Sequence, residues 1–303
     1  MRRSSVPLLV LGLGCAALIG ACASGAHPAA PPASAAKVMK QRTIQVKVPV
    51  LVKESSYYAD GLLDGYVTYR YDAANKNLLE KDSYDAARSD PVDRTVSEWS
   101  GGRLTDDIVY DQDGKLRLRH DYGYDAAGHL VSDTITDGKG QPSSSSTYAY
   151  DAAGNKTEWR AFDAKGVLKA LTVYSYGKPA GSGGLPLMLI AMKDSAGTST
   201  GSITLSYDDK GRLLRRDYRA ADGSPQKSEV YAYGPAAGPA AGMPTALEIR
   251  RADGSLASRT LYVIGDLGQV LKATDQDGSG VVRGYKQFEY TVREDSVTET
   301  YYE

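Results

Sequence analysis

The chain has 303 residues, with 36 Lys plus Arg against 37 Asp plus Glu and a formal net charge of −1. That balance argues against a basic nucleic-acid-binding surface, so no nucleic-acid partner is expected. Aromatic usage is lopsided, with 22 Tyr against 2 Phe and 2 Trp; every buried phenol needs a hydrogen-bond partner, so this is not the composition of an ordinary dry core.

Arg2 and Arg3 precede an apolar run from Val6 to Ile19. The run falls short of the roughly 20 residues a membrane-spanning helix needs, and it reads as a secretory signal over residues 1–21. Leu18-Ile19-Gly20-Ala21-Cys22 resembles a bacterial lipobox. That resemblance implies cleavage before Cys22 and lipid attachment to its thiol, with the membrane as a partner through the anchor. The other cysteine, Cys15, lies in the removed segment, so the mature chain is expected to form no disulfide and to hold no metal or cofactor through cysteine. Ala23 and Ser24 lack the aspartate that retains lipoproteins at the inner membrane of Gram-negative bacteria, which implies the outer membrane. Residues 22–42 form a tether rich in Ala, Pro and Ser that cannot bury a core, and His27 is read as part of it.

The β domain is expected over residues 43–303. Ile44, Val46, Val48, Val50 and Val52 alternate with Gln45, Lys47, Pro49 and Leu51. Pro49 has no N–H for a ladder, so 43–56 is expected to be an edge strand capping the array.

An internal period follows. Turn glycines recur at Gly102, Gly114, Gly128, Gly140, Gly154 and Gly166, with gaps alternating between 12 and 14, so the unit is 26 residues with two turns. The first turn carries a signature: Tyr122-Gly123-Tyr124-Asp125-Ala126-Ala127-Gly128, repeated as Tyr148–Gly154, with variants at Tyr69–Asn75 and Leu205–Gly211. The two tyrosines share one face of a strand. The aspartate caps the turn, and Gly or Asn takes the positive-φ position. The second turn reads more simply, from Asp137 to Gly140 or Asp163 to Gly166. Between turns, Leu116, Leu118, His120, Tyr122 and Tyr124 alternate with Arg117, Arg119, Asp121 and Gly123, the pattern of a half-buried strand. His120 is read as an interior histidine making a hydrogen bond, His129 as a turn residue, and Trp99 and Trp159 as packing residues, with sugar stacking as the lesser alternative.

Connections this short allow only antiparallel neighbours, so the fold class is all-β: an up-and-down meander of about 18 to 20 strands. Its Tyr/Leu face cannot stay wet, so the sheet is expected to curl, barrel-like or as a spiral, with that face inward. A further turn is expected around Arg293 to Ser296.

The Tyr-x-Tyr-Asp-x-x-Gly-x-Leu pattern at 122–130 resembles the YD repeats of the Rhs family, and the resemblance spans about residues 57 to 303. It implies a curled β-strip around a cavity, and some family members are linked to carbohydrate binding. The self-cleaving segment and the toxin domain of the family's large members are not found here, so a toxin-encapsulating shell fragment is the lesser alternative.

Two first-type turns are expanded, Gly177 to Pro186 and Gly234 to Pro244, both on the same edge of the sheet. Hairpin tips tolerate insertions without function, and loops gathered on one rim are also where binding residues sit. The candidates there are Lys178, Ser182, Leu185 and Met243. Asp111–Gly114 and Asp275–Gly278 faintly resemble calcium loops but lack the later acidic ligand, and they fall where the period demands a turn. No nucleophile, base and orienting group recur together, so no catalytic residue is assigned. The expectation is a non-enzymatic, lipid-anchored envelope protein that binds or scaffolds an envelope protein or glycan. A carbohydrate-binding role is the alternative, and a membrane pore is disfavoured because the strands lack an apolar outer band.

Overall fold

The computed structural model describes residues 39–177, 186–235, 238 and 240–302. Cys22, the tether up to residue 38, and the loop candidates Lys178, Ser182 and Leu185 lie outside the described residues. The chain divides into two compact units. The described part of the smaller one is 39–43 with 298–302, where Arg42 pairs with Glu299 at 2.7 Å. The larger unit is Ile44–Val297.

Eighteen strands follow one another in chain order: β1 (Met39–Tyr58), β2 (Leu63–Tyr71), β3 (Leu78–Asp85), β4 (Asp93–Ser100), β5 (Arg103–Asp111), β6 (Leu116–Tyr124), β7 (Leu130–Asp137), β8 (Pro142–Tyr150), β9 (Lys156–Asp163), β10 (Leu168–Tyr176), β11 (Leu187–Asp194), β12 (Ser199–Tyr207), β13 (Leu213–Ala220), β14 (Pro225–Tyr233), β15 (Pro244–Arg251), β16 (Leu256–Ile264), β17 (Val270–Asp277) and β18 (Val282–Tyr302). Each pairs antiparallel with the next, and β1 also pairs with β18, so the meander closes into a barrel.

The turns explain the regularity. At Asp137, the aspartate N–H donates to the Gln141 carbonyl at 2.8 Å, and the Gly140 N–H donates to the Asp137 carbonyl at 2.9 Å. The Asp137 carboxylate accepts from the N–H groups of Lys139 and Gln141 at 2.8 and 2.9 Å. Asp151 repeats the same set with Ala153, Gly154 and Asn155. The two kinds of turn that differ in sequence are therefore one structure, a five-residue Asp-x-x-Gly-x loop. The glycine takes φ of +74° at Gly140 and +81° at Gly154, and Asn75 takes +52° in its place. Where Ala220 and Arg251 replace the aspartate, Asp222 and Asp253 two residues later each accept a turn N–H, from Ser224 and Ser255.

The signature tyrosine has a role beyond facing inward. The β5–β6 ladder ends at Asp106 opposite Asp121, leaving the Leu104 carbonyl two residues past the last pair. The Tyr124 hydroxyl donates to that carbonyl at 2.8 Å. The same bond joins Tyr150 to Leu130, Tyr176 to Lys156, Tyr207 to Leu187, Tyr233 to Leu213 and Tyr290 to Val270, at 2.7–2.8 Å. Trp99 does it with its indole N–H on the Leu78 carbonyl at 2.7 Å. Each ring thus adds one side-chain rung where two strands splay apart at the first-turn rim. A phenylalanine could not, which favours tyrosine over phenylalanine at these six positions.

The β1–β18 seam closes the ring through Gln45 and Ser296 at 2.9 Å, Lys53 and Glu289 at 3.4 Å, a Lys286–Glu54 ion pair, and stacked Tyr57 and Tyr285 rings 4.8 Å apart. Two expectations are corrected here. β1 is not an edge strand along its whole length: it pairs with β18, and with β2 as well from Lys53 to Tyr57, so the expected edge character is confined to the stretch before Lys53. Pro49 is tolerated since the register with β2 spans only Lys53 to Tyr57, leaving Pro49 outside it. No turn forms at Arg293 to Ser296 either; β18 runs straight through to Tyr302. That segment has no glycine for a positive-φ position, and Arg293 instead pairs with Asp295 at 2.9 Å and donates to the Asn75 carbonyl.

Eighteen strands at about 4.8 Å give a wall roughly 86 Å around before tilt, hence a barrel at least about 27 Å across. Side chains from opposite walls cannot fill such an interior. Val50, Leu205 and Ala273 are the buried apolar side chains among the described residues. The fold is held mainly by its ladders, turns and inward aromatic rungs, not by a packed core.

Candidate binding surface inside the barrel

Register decides which side chains face inward. In β6 the inward row is Leu118, His120, Tyr122 and Tyr124, as the alternation predicts. In β5 a one-residue shift beside the turn places Leu104, Asp107 and Val109 on that face. Counting by twos from Leu104 would have chosen Asp106, which instead faces outward and pairs with Arg119 at 2.5 Å. The bulge is the signal that sequence reasoning missed, and it conceals the inward charges.

The resulting inner wall carries a concavity of about 340 Å³ across β3 to β6. Trp99, Leu104 and Val109 give it apolar walls, and Lys81, Ser97, Asp107, His120 and Tyr122 give it polar ones. Asp107 accepts from the Ser97 hydroxyl at 2.5 Å and from the Tyr122 hydroxyl at 3.0 Å. The His120 Nδ1 lies 2.9 Å from Asp133, and its ring stacks on Tyr122 at 5.8 Å. His120 is therefore the hydrogen-bonded interior histidine that the sequence predicts. Burial, then the Asp107 charge, pushes the Tyr122 phenol well above its ordinary value, so it stays neutral and serves as a donor. Ser97 is tied to a carboxylate and not to an imidazole, an arrangement suited to hydrogen bonding.

A second polar group sits on β13 and β14. Glu229 accepts from Tyr218 at 2.8 Å and Tyr231 at 3.1 Å, and pairs with Arg216 at 3.3 Å and Lys227 at 3.2 Å. Lys227 lies 4.2 Å from the Tyr218 ring centroid. Burial, followed by the Glu229 hydrogen bond, pushes the Tyr218 phenol up to about 12. None of these charges was singled out from sequence, because nothing in the repeat signature marks them.

The first-turn rim carries its own stacking series. His129 stacks on Tyr150 at 4.7 Å, Arg103 lies 5.6 Å from the Tyr124 centroid, and Arg212 lies 4.6 Å from that of Tyr233. His129 also bonds Asp125 at 2.9 Å, in keeping with its reading as a turn residue. Both expanded loops are closed at their base on this rim: the Gly177 N–H donates to the Pro186 carbonyl at 2.8 Å, and the Gly234 N–H to the Met243 carbonyl at 3.0 Å. Met243, the loop candidate among the described residues, is thus part of a loop base, half-buried beside Gly268.

The outer wall differs in kind. It carries ion pairs such as Arg94–Asp82 at 2.9 Å, Arg119–Asp121 at 3.0 Å, Arg215–Asp217 at 2.7 Å and Arg250–Glu248 at 2.5 Å.

No protein-family model matches the chain, and no curated protein matches it. Among solved structures it is similar to a porin-like protein from Bacteroides uniformis, at 14% identity and a TM-score of 0.46, over 80% of this chain and 98% of that one. A porin-like protein from Bacteroides vulgatus is similar at 10% identity and a TM-score of 0.32, over 80% of this chain and 98% of that one. TcdB2-TccC3 without its hypervariable C-terminal region is similar at 12% identity and a TM-score of 0.27, over 80% of this chain and only 15% of that chain. At these identities the likeness concerns the fold alone.

Proposed function

We propose that this is a YD-repeat lipoprotein of the bacterial envelope, anchored through Cys22, whose barrel interior binds a ligand without chemically altering it. The observation that carries this reading is the concavity of about 340 Å³, where Trp99 and Tyr122 stand beside Asp107, Ser97 and His120 on the inner wall. An apolar surface with a few convergent polar groups is the usual make-up of a small-ligand site. Rings beside hydroxyl and carboxylate groups suit a polyhydroxylated ligand such as a saccharide, because the ring face covers C–H groups while the polar groups bond hydroxyls. The outer wall supports an aqueous setting over a pore in a lipid bilayer. Charged pairs such as Arg119–Asp106 would be costly against lipid, and a transmembrane barrel needs an apolar band about 25 Å tall.

The test is calorimetric titration of the full lipidated chain, in detergent, with neutral oligosaccharides. Saturable binding that a Trp99→Ala, Tyr122→Ala double variant loses, with its circular dichroism intact, is the expected result. Equal binding by that variant would exclude the concavity. A second reading, a protein scaffold acting through the rim loops, is favoured by the closed loop bases at Gly177–Pro186 and Gly234–Met243, which allow the loops to vary without opening the barrel. Replacing both loops by Asp-x-x-Gly turns would then abolish capture of an envelope partner and leave saccharide binding unchanged.

A further inference from the structure

Among the described residues, the inner wall holds a half-buried ammonium without a carboxylate, that of Lys156. Lys156 opens β9 at the first-turn rim, and its Nζ lies 5.4 Å from the Tyr148 ring centroid and 4.9 Å from that of Tyr174. Those rings come from β8 and β10, the strands on either side. Lys286 is matched by Glu54, and Arg216 and Lys227 by Glu229, while Lys81 on the same wall is exposed. Lys156 has no ion pair among the described residues, and burial lowers its pKa with no neighbouring acid acting against it. Two ring faces offset part of the cost of burying an ammonium. They do not supply the oxygen acceptors that its three N–H groups prefer.

The surroundings narrow what could supply them. Trp159 pairs with Tyr148 on one side and Thr172 on the other, so it stands on the same inward face. The Tyr174 hydroxyl has no hydrogen-bond partner among the described residues and is a free donor. A single ammonium beside a hydroxyl donor suits a singly charged carboxylate. A phosphate is better served by an arginine fork or several cations. We propose that Lys156 and the Tyr174 hydroxyl bind the carboxylate of a ligand whose ring rests on Trp159, inside the barrel near its first-turn rim. This rests on the reading of the interior as a binding surface, and it adds that the ligand is acidic.

The experiment is calorimetric titration of the full lipidated chain with a galacturonic acid trimer, benzoate and a neutral galactose trimer. The two acids separate a sugar source of the carboxylate from an aromatic one. Binding of at least one acid, about tenfold tighter than the neutral trimer and weakened by salt, is expected. Lys156→Met should weaken acid binding at least tenfold, and Lys156→Arg should restore most of it. Unchanged acid binding by Lys156→Met would overturn the proposal, as would failure of both acids to bind the wild type. If Lys156→Met does not fold, Trp159→Phe and Tyr174→Phe must weaken acid binding selectively, and their failure to do so overturns it equally. A neutral trimer that binds as well as the acids, and depends on Trp99, would remove this proposal and leave the wider reading in place.

Discussion

Replacing Tyr150 by Phe removes one oxygen and leaves the ring, including its stack on His129 at 4.7 Å. What is lost is the 2.8 Å bond from the phenol to the Leu130 carbonyl, beyond the last β7–β8 ladder pair at Ser132 and Thr147. A net intramolecular hydrogen bond contributes about 0.5–1.5 kcal/mol, and the half-exposed carbonyl can recover water, so about 1 kcal/mol is expected. In a domain of this size that is a fall of roughly 2–4 °C in Tm. The equivalent tyrosines lie on every second strand, far enough apart to act almost independently. Replacing Tyr124, Tyr150, Tyr176, Tyr207, Tyr233 and Tyr290 together should therefore cost about 6 kcal/mol, comparable to the whole stability of many domains. Urea denaturation followed by far-ultraviolet circular dichroism measures it. The control is Tyr110→Phe, whose hydroxyl has no hydrogen-bond partner among the described residues. If Tyr150→Phe and Tyr176→Phe lower stability no more than Tyr110→Phe does, the rungs contribute nothing and the explanation of tyrosine over phenylalanine at these six positions fails. The converse substitution is informative as well. Ile264 holds the tyrosine position on β16, beyond the last β15–β16 pair at Ala246 and Leu261, and Ile264→Tyr should stabilise by up to about 1 kcal/mol through the Pro244 carbonyl.

Further outcomes are expected. Gly140→Ala meets open space but must hold φ near +74°, costing about 1 kcal/mol, whereas at Gly138 a Cβ would stand 2.1 Å from the Leu116 carbonyl oxygen, so Gly138→Ala should cost more, about 2–3 kcal/mol, by urea midpoint. Asp277, held down at about 2 chiefly by the Ser279 hydroxyl, favours the fold above its ordinary value of 3.8; that contribution should fade as pH falls from about 4 toward 2, and Asp277→Asn should flatten the acid limb of a Tm-versus-pH curve. Tyr218 and Tyr290, pushed up to about 12 mainly by burial, shift the balance the other way: their contribution is whole below the ordinary value of 10 and is lost as pH rises toward 12, so absorbance at the tyrosinate band should show a late-titrating class that vanishes on unfolding. Cys22→Ser should move the protein from the detergent phase to the aqueous phase in a phase-partition assay and abolish labelling by a radioactive fatty acid; persistence of either would rule out lipidation at this residue.

Much of this molecule is legible in the chain because its interactions are local. The Asp-x-x-Gly-x turn closes within five residues, so Asp137 to Gln141 can be read as a turn without reference to anything distant. Spacing of those turns then sets strand length, antiparallel order and the inward Tyr-x-Tyr face, since short connections permit no other pairing. Three things were settled only by tertiary structure. Closure depends on β1 meeting β18, and Glu54 with Lys286 or Tyr57 with Tyr285 are partners that no local rule joins. The inward charges depend on a one-residue bulge that exchanges Asp106 for Asp107, and a period-two count carries straight past it. The second job of each signature tyrosine, taking a carbonyl on the neighbouring strand, needs the splay of two strands at a rim, which exists only once the sheet has curled. Local hydrogen bonding thus determined the repeat, and curvature and closure decided what the repeat encloses.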